Sequence, residues 1–490
     1  MSEPFDLAVI GGGVNGAGIA RDAAGRGASV LLLEKEDLAS GTSSASTKLV
    51  HGGLRYLEHY EFALVRESLG ERERLWRIAP HIIWPMRFVL PYRKGLRPAW
   101  LLRLGLFLYD HIGGRDLLDP TKTIRLDRDA AGAPLKAGYR KAFVYSDGWV
   151  DDARLVVLNA MDAASLGAQV RTRTPMTGAR REGDLWRIET PAGEVAARAL
   201  VNAAGPGVLG VLDMMDRAGA YGVRRVRGSH IVVPALFDHG KAYFFQLPDG
   251  RIFFAIPYER EFTLIGTTDA DHDDSLDDVR ASEAEIAYLC NGVNEYFRQP
   301  ITPDDVVWTY AGVRALIDDG SGRPEAATRG YRLVHSPPED GAPLLTVYGG
   351  KITSYRHLAE QAVDSLATRL PALTGAAWTA DEPLPGGDFP VHGAIKLQTE
   401  LAARYPFLAP ADAQRIGRAY GTLAPRWLGE ARAWNDLGRH FGAGLSEAEI
   451  DWMRTREWAQ TAEDVLWRRS KLGLHMSEAE RGEVADLLGG

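Results

Sequence analysis

Three glycines and one carboxylate near the start of the chain have the types and spacing of a dinucleotide site. Gly11-Gly12-Gly13-Val14-Asn15-Gly16 follows the apolar run Leu7-Ala8-Val9-Ile10 and opens a small-residue helix from Ala17 to Ala24. Gly11 permits the tight turn, Gly13 lets backbone amides approach a pyrophosphate, and Gly16 lets the helix lie close to the sheet. Val14 and Asn15 complete a turn whose helix N-terminus offers partial positive charge to the phosphates. A second apolar run, Ser29 to Leu33, ends in Glu34, 18 residues after Gly16. A carboxylate there accepts hydrogen bonds from the ribose hydroxyls of an adenosine. Its charge also repels a 2′-phosphate, so NADP is disfavoured.

FAD and NAD share this fingerprint, and the rest of the chain favours FAD. The run from Thr42 to Gly53 is rich in hydroxyls and glycines. Thr42, Ser43, Ser44, Ser46 and Lys48 offer donors to a second phosphate and an isoalloxazine ring, with His51 and Gly52 at the far end. Leu200-Val201-Asn202-Ala203-Ala204-Gly205 reads as a strand running into a Gly-Pro turn, which places Ala203 and Gly205 beside the same cofactor. Leu344 to Thr353 reads as a strand, a glycine turn and a helix start, carrying Gly350, Lys351 and Thr353. A helix N-terminus there suits the negative charge that a flavin develops near N1 and O2.

These pieces imply an α/β fold: a discontinuous Rossmann-like FAD domain (1–80, 145–220 and 335–370), an antiparallel-β substrate domain (81–144 and 221–334) and a C-terminal helical domain (385–490). Antiparallel strands are expected over Ser229 to Val233, Ala242 to Leu247, Arg251 to Pro257 and Phe262 to Gly266, with a turn at Pro248-Asp249-Gly250. The 490 residues are 45% hydrophobic and 25% charged, which fits several packed domains and excludes disordered or fibrous classes. The net charge of −8 is spread without a basic tail, so nothing global points to nucleic acid. Cys290 is the single cysteine and reads as core behind a Ser282-x-x-Glu285 capping box, which suits a reducing compartment. No signal peptide and no membrane-spanning segment are expected. The acidic run Asp269 to Asp274 lacks the glycine and glutamate of a calcium loop, having Asp274 and Arg280 at those places, and no metal site is expected.

The chain resembles the FAD-dependent, membrane-associated glycerol-3-phosphate dehydrogenases of the D-amino-acid-oxidase-like flavoprotein superfamily. IGGGVNGAGIARDAAGRG, TSSASTKLVHGGLRYLEHYEF, YSDGWVDDARLV, GSHIVVP, IGTTD, WTYAGVRAL and YGGKITSYR carry the resemblance. It implies oxidation of sn-glycerol 3-phosphate to dihydroxyacetone phosphate, with the C2 hydride passing to flavin N5 and the electrons to a membrane quinone. A buried phosphate dianion needs fixed cations, and arginine's planar fork serves it best. Arg314 and Arg329 are the leading candidates, with Arg55 and Tyr56 next. Removal of the hydroxyl proton needs a base, for which His51, His230 and Lys351 all stand. A flavin oxidase of the same fold, using oxygen on glycerol phosphate, an amino acid or an amine, is the alternative.

No second dinucleotide fingerprint occurs in the chain, so the electrons are expected to leave to oxygen or an external acceptor. Over 84–109, Arg87, Arg93, Lys94, Arg97 and Arg103 are interleaved with Trp84, Trp100 and a run of leucines and Phe107. Such a segment suits the headgroup boundary of an anionic leaflet, or else a domain or subunit interface. The expectation is a cytoplasmic protein held peripherally on the membrane. After Pro383-Leu384-Pro385-Gly386-Gly387, helices are expected over Ser446 to Trp458 and Thr461 to Lys471, with Trp452, Trp458 and Trp467 in their core. This region is expected to cap the enzyme or supply the surface of a homodimer.

Overall fold

The computed structural model describes residues 3–54, 57, 60–93, 98–113, 116–247, 250–318 and 330–489. Arg55, Tyr56, Lys94, Arg97, Arg329 and the Pro248-Asp249 turn lie outside the described residues.

The first sheet is built on Phe5–Ile10, which pairs in parallel with Val30–Leu33 on one side and Gly193–Asn202 on the other. Leu344–Gly349 adds in parallel beside Gly193–Asn202, and Gln169–Arg171 beside Val30–Leu33. Tyr331–His335 closes one edge antiparallel. The central strands are apolar on both faces because both are covered. Helices Val14–Gly25, Asp152–Ser165 and Tyr355–Ala367 supply much of one cover, joining Ala17, Val156 and Leu358 to Leu7, Val9 and Val201 in one core. The turn into the first helix depends on glycine at two places. A Cβ on Gly16 would sit 1.9 Å from the Gly11 carbonyl oxygen, and Gly11 itself has φ +111°.

The second sheet has ten strands, dominated by antiparallel pairs. Gly222–Pro234 pairs along its length with Trp308–Asp318 and also with Phe262–Gly266; Ile252–Tyr258, Ala242–Gln246, Ile83–Pro91 and Lys141–Val150 follow in order. Helix Glu283–Tyr296 covers one face, its start closed by the Ser282/Glu285 capping box and Cys290 buried in its core.

Three expected boundaries move. The one at 145 cuts Lys141–Val150, a strand wholly in the second sheet, and Leu49–Val50 pairs with that same strand although it lies within the expected first FAD piece. Tyr331–His335 belongs to the first sheet, because it pairs residue by residue with Leu344–Gly349. In the C-terminal region Glu447–Arg456 is helical, whereas Thr461 to Lys471 is not one regular helix. Asp464–Arg469 is π-helical and the chain turns out of it at Lys471, φ +70°. Trp452, Trp458 and Trp467 are half-buried at core edges rather than central, and Trp467 stacks on Trp308 of the second sheet.

The C-terminal domain is fastened by buried ion pairs. Both Arg468 and Arg469 reach Asp37, each at 2.7 Å, and Arg154 meets Glu457 at 2.6 Å. Removing one member of such a pair strands the other charge out of water, at about 3–5 kcal/mol. Arg469→Met should therefore lower the urea midpoint sharply, while Arg180→Met, at a pair more than half exposed, should barely move it; equal shifts would contradict the docking role.

Candidate functional site

A cavity of about 1100 Å³ runs along the seam between the two sheets. That is at or above the ~300–1,000 Å³ typical of small-ligand pockets, so it has room for a dinucleotide and a small substrate. Gly11, Gly13, Val14, Asn15 and Glu34 line one end. Glu34 is buried because the sheet ends against it: its carboxylate accepts from Gly12 N at 2.6 Å and from Glu36 N at 2.8 Å. Burial pushes this carboxyl above the usual range, against the pull of the two backbone donors.

The loop after Glu34 crosses from one sheet to the other along the cavity. Thr42 Oγ1 donates to the Val313 carbonyl, and Ser43 Oγ accepts from Val14 N at the start of the first helix. Ser46 and Thr47 continue the wall, followed by His51. Ala203, Gly205, Gly350, Lys351 and Thr353 line it from the first sheet's strand ends. The helix expected to begin at the glycine turn starts at Tyr355, because 351–354 form a further turn.

Four expected cofactor contacts lie off the cavity. Gly16 is spent on packing the helix against Gly11, and Gly52 N donates to the Tyr109 hydroxyl. The Ser44 carbonyl accepts from Lys48 Nζ, and Lys48 is buried in a 2.7 Å ion pair with Asp152. Ser44 and Lys48 serve the loop's own buried polar groups, whereas Gly16 serves the packing of its helix.

At the other end, the long ladder between Gly222–Pro234 and Trp308–Asp318 puts His230 opposite Tyr310 and Val226 opposite Arg314. Directly opposed residues share a face, so His230, Tyr310 and Arg314 stand on one side of the sheet. Arg314 donates to the Thr268 carbonyl at 2.8 Å and pairs with Asp269 at 2.9 Å. Asp269 and Asp271 of the acidic run pair with Arg314 and Arg224. His230 is buried, its Nε2 2.9 Å from Thr47 Oγ1 and its Nδ1 without a partner among the described residues. Burial, then the Lys48 and Arg314 cations, holds this imidazole well below its ordinary pKa. His51 is lowered too, by burial, with Asp147 opposing; its Nδ1 accepts from Gly53 N at 3.0 Å. A neutral His51 therefore carries its proton on Nε2 and is a donor, whereas His230 keeps a free nitrogen.

Two parts of the site escaped the sequence reading. Phe88, Tyr145, Phe244 and Phe254 give the cavity an aromatic wall, and nothing local marks them, since they read as ordinary strand residues. Arg225 also lines the cavity and has no ion-pair partner among the described residues. Its place in a ladder beside Arg314's strand was the available signal.

Asn15 tests whether a flavin dinucleotide fits. Asn15 lines the cavity; its Nδ2 donates to the Gly349 carbonyl at 3.2 Å, while its buried Oδ1 has no partner among the described residues. Such an atom calls for a ligand donor. With Glu34 at one end and hydroxyls along the floor, the residues fit FAD.

Comparison with known proteins points the same way. Residues 6–356 match the family of FAD dependent oxidoreductases, and 377–489 match the C-terminal domain of alpha-glycerophosphate oxidase. The D-erythritol 1-phosphate dehydrogenase of Brucella abortus is 51% identical over 99% of this chain and 98% of its own. The glycerol-3-phosphate dehydrogenase of Pseudomonas aeruginosa is 50% identical over 100% and 96%. The crystal structure of the glycerol-3-phosphate dehydrogenase from Bacillus halodurans complexed with FAD superposes with a TM-score of 0.77 at 25% identity, covering 100% of this chain and 94% of that one.

Glu34→Ala should cost the ribose its charged acceptor, about 1.5–3 kcal/mol. Flavin absorbance retained after dilution and gel filtration is the readout. Undiminished occupancy would remove Glu34 from the site.

Proposed function

This chain belongs to the FAD-dependent oxidoreductase family, with FAD as its cofactor, and on that premise we propose that it oxidises sn-glycerol 3-phosphate to dihydroxyacetone phosphate. The observation that carries the reading is the meeting of Arg314, Lys351 and an uncharged His230 on one cavity. Arg314 and Lys351 supply the positive charge that a phosphate ester needs. His230, held uncharged, accepts the C2 hydroxyl proton as the O–H electron pair becomes the second carbonyl bond. His51, protonated on Nε2, donates to a substrate oxygen. FAD supplies the acceptor for the hydride leaving C2. The aromatic wall of Phe88, Tyr145 and Phe254 excludes water from the reacting carbon.

The erythritol 1-phosphate relative favours a second reading on the same chemistry, because a four-carbon phosphate presents the same ester and a secondary alcohol. Anaerobic bleaching of the bound flavin by glycerol 3-phosphate, set against D-erythritol 1-phosphate, glycerol and amino acids, decides between them. Fast bleaching by glycerol 3-phosphate is expected; bleaching by an amino acid alone would overturn both. Arg314→Ala should raise KM by roughly 10- to 150-fold, a charged hydrogen bond's worth of about 1.5–3 kcal/mol. An unchanged KM would make Arg314 a structural partner of Asp269 only.

The electrons pass on to a membrane quinone, and the protein sits peripherally on the cytoplasmic membrane. Support comes from helix Ala99–Ile112, which buries Leu106 and Tyr109 but exposes Trp100 (69%), Leu104 (46%) and Phe107 (50%). The contact is narrower than the 84–109 segment. Ile83–Pro91 is an inner strand whose Arg87 donates to the Pro120 and Val144 carbonyls, and Arg93 pairs with Glu295. No helix among the described residues is long and apolar enough to cross a membrane. Trp100, Leu104 and Phe107 changed together to Ser should abolish co-sedimentation with anionic vesicles and leave flavin bleaching intact. Unchanged sedimentation would move the contact elsewhere, and oxygen outrunning a short-chain quinone as acceptor would favour an oxidase.

A further inference from the structure

Lys48 does not line the cavity, yet it touches what does. Its side chain is 1% exposed, with Nζ 2.7 Å from Asp152 Oδ1 and 5.0 Å from the centroid of the Tyr310 ring. That ring stacks on the His230 imidazole, centroids 4.7 Å apart and planes 16° from parallel, and its hydroxyl donates to the Ser46 carbonyl at 2.9 Å. Thr47, next to Lys48, holds the edge of the same imidazole through the 2.9 Å contact to Nε2. Two consecutive residues therefore bear on His230, one at its edge and one through the ring against its face.

The backbone here is held against its preference. Lys48 has φ +59°, the left-handed region that a side chain with a Cβ seldom adopts. Lys48 N donates to Ser46 Oγ at 2.9 Å, Ser46 Oγ to Asp152 Oδ2 at 2.8 Å, and Lys48 Nζ to the other oxygen of the same carboxylate. A strained conformation fixed from so many sides is a mark of functional placement. The charged and titratable groups that face His230 are the Lys48 ammonium, the Arg314 guanidinium and the Tyr310 phenol, with the Asp152 charge engaged by Lys48. Burial raises the phenol well above its ordinary range, so it stays neutral.

We propose that Lys48 is a positioning residue for the oxidation: through Tyr310 and Thr47 it fixes the His230 imidazole in one orientation at the cavity. The inference rests on the proposed role of His230 as proton acceptor. A cation close to an imidazole disfavours the imidazolium, and loss of that cation would also free the Asp152 carboxylate to favour it. Both effects have the same sign.

The test uses the FAD-loaded protein with ¹⁵N-labelled histidine, the His230 resonance being assigned by its absence in His230→Asn. In Lys48→Gln the His230 titration should rise by about one pH unit or more, and the acid limb of kcat/KM should rise with it. Lys48→Arg, which keeps charge and reach, should restore the wild-type profile; a merely structural role would produce neither the shift nor this selective rescue. Should Lys48→Gln lose its flavin, Lys48→Met carries the same test by removing the cation while keeping the apolar stem, and the titration should rise again. A His230 titration that stays where the wild type has it in both variants would overturn the proposal. A shifted titration in a protein that glycerol 3-phosphate does not bleach would support the positioning role and contradict the substrate reading.

Discussion

The Asp152 carboxylate is the anchor on which the rest of the site hangs. It is fully buried at the first position of helix Asp152–Ser165 and accepts from Ser46 N, Ser46 Oγ, Lys48 Nζ and Ala153 N. A charge so placed is tolerable only because a cation, several donors and the positive end of a helix all meet it. Its consequence is geometrical. The loop that crosses from the first sheet to the second is pinned to a helix of the first, while Thr42 and Tyr310 pin it to a strand of the second. The loop thereby ties the two sheets together across the seam that holds the cavity.

The C-terminal domain extends this constraint to the other end of the cavity. Arg173 N and Thr174 N donate to the carbonyls of Glu36 and Glu34, and Arg173 pairs with Asp464 at 2.7 Å. Arg468 and Arg469 hold Asp37 from the same domain. The turn that follows Glu34 is thus held from outside, by a region in which the sequence alone displays no chemistry. Two successive arginines of the π-helical turn at Asp464–Arg469 reach the one Asp37 carboxylate.

Most of the fold was legible because its signals are local. Continuous apolar runs mark the parallel strands, glycines mark the turn, and alternation marks the second sheet. Glu34 and Ser43 are candidates from motif and spacing and Arg314 from the family resemblance, and all three line one cavity. What could not be read was the division of labour within the loop from Thr42 to Lys48. Whether a serine or lysine faces a ligand or a buried carboxylate depends on Asp152, more than a hundred residues away in the chain. The same holds for Trp467, whose partner Trp308 belongs to another sheet, and for the boundary at 145, where a strand that resembles the first sheet's completes the second. Propensity and pattern fix what an element is, and only long-range packing fixes which partner it meets.

The central claim is that one continuous seam holds FAD with its ribose at Glu34 and presents the substrate phosphate to Arg314 beside His230. A crystal structure of the FAD-loaded protein with glycerol 3-phosphate under anaerobic conditions tests it most directly. The account predicts ribose hydroxyls on the Glu34 carboxylate, the phosphate within hydrogen-bond distance of Arg314, and C2 between the isoalloxazine ring and His230. Substrate density away from Arg314, or an adenosine end turned away from Glu34, would contradict it.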